Sequence, residues 1–232
     1  MGGGMTEPQA LMLFAAGLGT RMGELTRKRP KPLIPVAGRA LIDHALDQVE
    51  GDPRIVVNLH YLGQMIRDHL AARPDIAFSD ETETILETGG GLRAALPHLG
   101  PGPVFTLNSD AVWTGPPATR TLRDHWRPVK MDGLLLLVPR ARATGYQGPG
   151  DFAMDAEGRL SRGTDFVYTG AQILRTEGLA DVPQPVFSLN VLWDRMIAAG
   201  RLCGAVHPGG WCDVGRPSSI PLAEALFAGD HA

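Results

Sequence analysis

Residues Leu11 to Ala16 (LMLFAA) form an unbroken apolar run, and the chain then turns through Gly17-Leu18-Gly19-Thr20-Arg21-Met22. So short and so apolar a run fits a strand covered on both faces, the condition of a strand in a parallel sheet. The segments that follow alternate in period. Ala40 to Val49 places Leu41, Ala45, Leu46 and Val49 on one helical face. Arg54 to Asn58 reads as a strand, Leu62 to Leu70 as a helix, and Ile76 to Phe78 as a short strand. Gly91 to Leu96 begins another helix, and the strand Pro103 to Leu107 runs into Asn108-Ser109-Asp110. Strands alternating with helices predict an α/β fold. Its central sheet should be mixed but mostly parallel, flanked by helices and Rossmann-like, with right-handed crossovers. Such sheets bind ligands beyond the carboxyl ends of their strands. The Gly-rich turn and Asn108-Ser109-Asp110 both fall at that edge.

The second half is less regular. Gly133 to Val138 is a buried strand, Asp151 to Ser161 a hairpin turning at Asp155-Ala156-Glu157-Gly158, and Phe166 to Leu174 a strand interrupted by Gly170. Val186 to Ala199 is helical, Leu202 to Val206 and Trp211 to Val214 are short strands, and Pro217 to Ala228 closes the chain as a helix. With no repeat or long linker, 10–232 is expected to form one domain with halves 10–130 and 131–232. Residues 1–9, which contain Gly2-Gly3-Gly4 and a second Met5, are expected to stay outside the fold as a disordered start, an expression remnant or a mis-assigned start.

A net charge of −3 gives no reason to expect a nucleic acid or a membrane as partner. No apolar stretch reaches the roughly 18 residues that span a bilayer, and the opening residues lack a signal-peptide pattern. The two cysteines, Cys203 and Cys212, form neither a disulfide framework nor a metal motif. The cytoplasm is the expected compartment, and the chain is expected to be a monomer or small homo-oligomer.

The Gly-rich turn is not a P-loop, because four residues and Gly-Lys-Ser/Thr are missing. Met22 stands where the dinucleotide fingerprint needs its third glycine. What remains is a backbone cradle for a phosphate chain. Arg21 adds a guanidinium able to bind phosphate through two bonds. Lys31 lies between Pro30 and Pro32, which restrict its backbone, and lysine otherwise occurs only at positions 28 and 130. A lysine held in this way suits charge developing on a transferring phosphoryl group. Arg27, Lys28 and Arg29 read as solvated surface. Asp110 and Asp213 each end an apolar strand and could share a Mg²⁺ ion completed by phosphates. Glu87-Thr88-Gly89-Gly90-Gly91 precedes a helix, and glycines at a helix entrance let a base or sugar approach closely. Gly150 and Thr169-Gly170 are weaker sugar-contact candidates. The seven histidines show no nucleophile–base spacing, so covalent catalysis is not expected.

These residues carry a resemblance. AAGLGTRM followed by RPKPLIPVAGRALIDHAL, with ETGGG, Asp110, Thr169-Gly170 and WCDVG, resembles the sugar-1-phosphate nucleotidyltransferases, enzymes of glycosyltransferase-A-like fold. The likeness covers nearly the whole chain. It implies a nucleotide-binding half over 10–130 and a sugar-binding half over 131–232. It also implies a nucleoside triphosphate and a sugar 1-phosphate as substrates, with Mg²⁺ as cofactor. Gly19, Thr20 and Arg21 would contact the triphosphate, with Ala16 and Gly17 against the nucleotide. Lys31, with Arg21, would be catalytic, neutralising the α-phosphate and the sugar phosphate. Glu87, Thr88 and Gly90 would meet base and ribose, and Asn108 the substrate. Asp110 and Asp213 would hold the metal, and Gly150, Thr169 and Gly170 would line the sugar side. Ser109 replaces the glycine most of the family has before its acid.

The combination of ETGGG, NSDAVW, GPGDF and WCDVG is most similar to the family branch that joins UTP to N-acetylmuramate 1-phosphate in cell-wall sugar recycling. Other sugar 1-phosphates are the alternatives: mannose with GTP, or glucose or N-acetylglucosamine with UTP or dTTP. A non-catalytic nucleotide-sugar sensor is an alternative of another class. A muramate pocket should offer a cation or hydrogen-bond donors near the sugar 3-position for the lactyl carboxylate; Arg140, Arg142 and Arg162 are available in sequence, and the sequence places none of them.

Overall fold

The computed structural model describes residues 6–81 and 83–229. Strand β1 (Ala10–Phe14) leads through the ribbon β2 (Pro35–Val36) and β3 (Arg39–Ala40) into α1 (Leu41–Leu46). The alternation continues with β4 (Arg54–Leu59), α2 (Gly63–His69), β5 (Ile76–Asp80), α3 (Glu87–Leu99) and β6 (Val104–Asn108). Then come β7 (Ala111–Trp113), α4 (Ala118–His125), β8 (Gly133–Pro139), β9 (Ala143–Thr144), β10 (Phe152–Met154) and β11 (Leu160–Arg162). The chain finishes with β12 (Phe166–Leu174), α5 (Asn190–Ala198), β13 (Leu202–Val206), β14 (Trp211–Asp213) and α6 (Ile220–Gly229).

Strands β6, β1, β4 and β5 are parallel neighbours in that order. The chain leaves β1 toward β4 and β5, then returns to the other side of β1 as β6. Strand order therefore reverses between β1 and β6, which opens a crevice at their carboxyl ends. Strand β12 joins β6 antiparallel and passes the sheet on to β8, with β13 parallel to β8. The sheet is mixed, as expected, and helices cover it. Leu11 and Leu13 face the side packed by α1 and α4, while Ala10 and Met12 face α3 and α5. Both faces are buried, which is why β1 alternates nothing and reads as a continuous apolar run. Leu11, Met12 and Leu13 are fully buried, each worth about 1.5–3 kcal/mol relative to exposure.

A second sheet, β7-β14-β9, lies beyond the carboxyl end of β6. Strand β14 runs antiparallel to β7 and pairs Asp213 with Ala111, and Val214 N donates to Asp110 O (2.9 Å). Two acids 103 positions apart in the numbering, Asp110 and Asp213, thus meet across one strand pair. Neither β7 nor α4 is visible in the sequence pattern: β7 has three residues, and α4 reads ATRTLRDH, buried mainly through Thr119, Thr121 and Leu122. Gln48 holds the start of α4, its Oε1 accepting from Ala118 N (3.2 Å).

Residues 6–9, expected to stay outside the fold, are in contact with it. Pro8 is buried, Trp126 Nε1 donates to Thr6 O (2.8 Å), and Arg54 N donates to Gln9 O (3.0 Å). Residues 1–5 lie outside the described residues. Helix α3 begins at Glu87, four positions before the expected Gly91, and the closing helix opens with a 3-10 turn, Pro217–Ser219.

Candidate active site

The Gly-rich turn does not become an α-helix. Gly19 takes φ 63° and Thr20–Thr26 winds as 3-10 turns broken at Gly23. A Cβ on Gly19 would lie 2.8 Å from Lys31 Cβ and 3.0 Å from Thr26 Cγ2. Glycine is thus required at position 19 by both backbone and space, and the space is occupied by the stem of Lys31. Pro30 is extended at φ −68°, and Lys31 starts a one-turn 3-10 segment, Lys31–Leu33. The side chain of Lys31 is buried, and its Nζ forms an ion pair with Asp110 Oδ2 at 2.7 Å.

Asp110 follows β6, and Ser109 fixes that corner: its hydroxyl donates to Phe14 O at 2.6 Å, tying the end of β6 to the end of β1. Ser109 therefore performs a structural task. The Asp213 carboxyl has no described hydrogen-bond donor. Burial first, and then the neighbouring Asp110, push its carboxyl above the ordinary value of 3.8, while Lys31, Arg21 and Arg216 pull the other way. Asp110 Oδ1 is likewise without a described partner, since only Oδ2 meets Lys31. A like-charged carboxylate pair with oxygens to spare fits a hard divalent cation completed by phosphate oxygens. Among the described residues no group of three or more His, Cys, Asp or Glu is gathered for a metal, so phosphates would have to complete the shell.

Two clefts meet here. The first, about 210 Å³, is lined by Ala15 to Gly17, Lys31, Glu81, Glu87, Thr88 and Asn108 to Asp110, among others. The second, about 450 Å³, is lined by Arg21, Asn108, Asp110, Tyr146, Thr169, Gly170, Asp213 and Arg216, among others. Asn108 and Asp110 form the shared wall. Gly170, at φ 90°, sits on a bulge of β12, where a Cβ would come within 2.9 Å of the Asn108 amide. Its glycine lets Asn108 stand between the clefts.

The structure therefore brings together Ala16, Gly17, Lys31, Glu87, Thr88, Asn108 and Asp110 on one side. On the other it gathers Arg21, Thr169, Gly170 and Asp213 with Asn108 and Asp110. Arg21 lines the second cleft, not the first. Gly19 and Thr20 line neither, and Gly19 acts on Lys31 instead. Gly150 also lies off both linings; its φ of 109° serves a turn closed against Thr164. Gly90 is not where a base could reach it. A Cβ there would stand 2.4 Å from Pro185 O, and Gly89 N and Gly90 N both donate to Phe187 O (2.9 and 3.1 Å). Gly89 and Gly90 of ETGGG serve close packing of α3 on the Pro185–Phe187 segment.

Gly91 shows why that packing matters. A Cβ there would meet Glu81 Oε1 at 2.6 Å. Glu81 is buried: Oε1 accepts from Asn58 Nδ2 (2.6 Å) and Oε2 from Leu86 N (2.8 Å), while Asn58 Oδ1 accepts from Ala15 N (2.7 Å). One chain of bonds thus links the ends of β1, β4 and β5 to the start of α3 around the first cleft. Sequence reading missed both residues, because neither lies in a glycine- or proline-marked turn or in any motif of the resemblance. Glu87 itself holds φ 58° on the cleft wall, an uncommon backbone for a non-glycine residue.

The three arginines available in sequence, Arg140, Arg142 and Arg162, are absent from both linings. Arg162 pairs with Asp194 (2.7 Å), Arg142 donates to Pro208 O and Gly209 O, and Arg140 donates to Gly148 O (3.3 Å) at the rim. Arg216, directly after WCDVG, takes the place in the lining instead.

A mixed α/β sheet with a cationic, carboxylate-bearing junction between two clefts defines a nucleotide-dependent group-transfer enzyme. Residues 11–199 match the model of the MobA-like NTP transferase domain. The chain is 42% identical to N-acetylmuramate alpha-1-phosphate uridylyltransferase of Caulobacter vibrioides, covering 95% of this chain and 98% of that one. It is 32% identical to the protein of the same name from Neisseria meningitidis serogroup B, over 93% and 96% of the two chains. The crystal structure of HddC from Yersinia pseudotuberculosis complexed with GMP-PN superposes with a TM-score of 0.72 at 20% identity, covering 94% of this chain and 99% of that one. The chain belongs to the sugar-1-phosphate nucleotidyltransferase family.

Proposed function

We propose that the enzyme transfers the uridylyl group of UTP to N-acetyl-α-muramate 1-phosphate, giving UDP-N-acetylmuramate and pyrophosphate, in the cytoplasmic recycling of cell-wall sugar. The observation that carries the reaction type is the meeting of two clefts at Lys31 and Asp110. The full-length likeness to two uridylyltransferases of that name supports the substrate pair. The first cleft takes UTP, with Ala16 and Gly17 beneath the nucleotide and Glu87 and Thr88 toward base and ribose. The second takes the sugar, against Thr169 and Gly170, with Arg21 at its phosphate.

A sugar phosphate oxygen attacks the α-phosphorus in line, the bond to the β-phosphate oxygen breaks, and pyrophosphate departs. The nucleophile is already an anion, so no residue need remove a proton. The task is to bring two polyanions together. Lys31 and Arg21 screen the repulsion and stabilise charge gained in the transition state, and the clefts fix the angle of approach. Asp110 and Asp213 would hold Mg²⁺, which supplies further positive charge on the phosphates when bound. A pyrophosphate-release screen of four nucleoside triphosphates against a panel of sugar 1-phosphates tests this reading. Turnover is expected for UTP with muramate 1-phosphate, and selective turnover of another pair would replace the substrates. Binding without pyrophosphate release from any pair would make the chain a sensor.

A further inference from the structure

The second cleft holds a cation that phosphate chemistry leaves unassigned. Lys31 is committed to Asp110 at the junction. Arg21 lies over Gly215, one guanidinium nitrogen 3.3 Å from the position a Cβ would take there, beside Asp213. Arg21 is therefore the inner guanidinium, close to the carboxylates where a phosphate must sit. Arg216 is the second guanidinium: it lines the same cleft and, like Arg21, is exposed. Neither guanidinium bonds a described side chain.

The wall also carries the rings of Tyr146, Tyr168 and Trp211, suited to a sugar face, and the uncharged amide of Gln147. Asp151 is spent inside the scaffold, accepting from the Tyr146 hydroxyl (3.1 Å) and Tyr168 N (2.9 Å). Besides Arg21, the cleft thus offers a second planar cation without a described side-chain partner, beside an aromatic wall. A planar guanidinium matches a carboxylate through two parallel bonds.

We propose that Arg216 determines acceptor specificity by binding a carboxylate on the sugar ring, remote from the phosphate that Arg21 and Lys31 serve. This rests on the proposed function, in which the acceptor is an acidic amino sugar.

The test compares kcat/KM for N-acetylmuramate 1-phosphate and N-acetylglucosamine 1-phosphate, which lacks the lactyl acid, in wild type, Arg216→Gln, Arg216→Lys and Arg140→Gln. Loss of a charge-assisted pair predicts that Arg216→Gln lowers the muramate-to-glucosamine ratio by about 10- to 100-fold. The fall should come mainly through the muramate KM, with Arg216→Lys between Gln and wild type and Arg140→Gln near wild type. A ratio unmoved in Arg216→Gln, both acceptors falling by one factor, or a ratio that follows Arg140 instead would overturn the proposal. Failure of the underlying function is read separately: wild type itself would then show no preference for the muramate acceptor.

Discussion

Lys31 and Asp110, separated by 79 positions, form a 2.7 Å ion pair on the wall where the two clefts meet. The pair joins the proline-bounded turn after β1 to the acid after β6, across the switch point of the sheet. Lys31→Ala removes the buried ammonium from the path between the two substrates. Its turnover is expected to fall by about 10²–10³, the cost of losing one preorganised charge. Circular dichroism and a cooperative thermal melt establish that the variant is folded. Asp110→Asn should fail to a similar extent.

Gly19 holds the space that Lys31 fills. Gly19→Ala adds a Cβ 2.8 Å from Lys31 Cβ in a left-handed backbone, a conformation costing about 1–2 kcal/mol for a non-glycine residue. Thermal melting should show that loss. Steady-state kinetics should show a larger fall in kcat than an unrelated surface Gly→Ala at equal stability, because Lys31 is displaced.

The bonds from Ala15 through Asn58 and Glu81 to Leu86 predict a binding phenotype away from the chemistry. Gly91→Ala drives a methyl against Glu81 Oε1. Glu81→Gln replaces an acceptor of two N–H bonds by a group that must aim its own NH₂ at a donor. Each should raise the KM for UTP more than the KM for the sugar phosphate, and each should destabilise the fold by about 1–3 kcal/mol, as expected when a buried donor loses its partner.

Asp213 predicts a gain in stability at the cost of activity. Its carboxyl titrates above the ordinary 3.8 because of burial and Asp110. A raised acid contributes stability that is fully present below the unfolded value and is lost as pH rises through the folded value. At pH 7 the ionised group therefore burdens the fold. Asp213→Asn should melt higher than wild type at pH 7, and the difference should shrink as the buffer approaches pH 3.8. Adding Mg²⁺ should raise the melting temperature of wild type but not of Asp213→Asn, since a ligand stabilises the state that binds it.

The sequence exposed the parallel half of the fold because β1, β4 and β6 are buried on both faces and so read as apolar runs. Phe166–Leu174 and Leu202–Val206 fell at the expected bounds for the same reason. Strand β7 and helix α4 were hidden because one is three residues long and the other is polar, held by Gln48 rather than by periodicity. In the site, Lys31, Asp110 and Asp213 were legible because proline and strand ends mark them. The roles of glycines were not, since a glycine needed for packing and one needed for a ligand look alike in sequence. Gly19 and Gly90 belong to the first kind, against Lys31 and Pro185. Asn58, Glu81 and Arg216 became visible only when the sheet edge placed them in a cleft.

The most direct measurement follows the α-phosphorus itself. UTP labelled at that position is incubated with N-acetylmuramate 1-phosphate and Mg²⁺, and the products of wild type and Lys31→Ala are separated. The label should appear in UDP-N-acetylmuramate with wild type and about 10²–10³ more slowly with Lys31→Ala. Wild-type-like transfer by Lys31→Ala, or label that never reaches the sugar with wild type, would contradict the account.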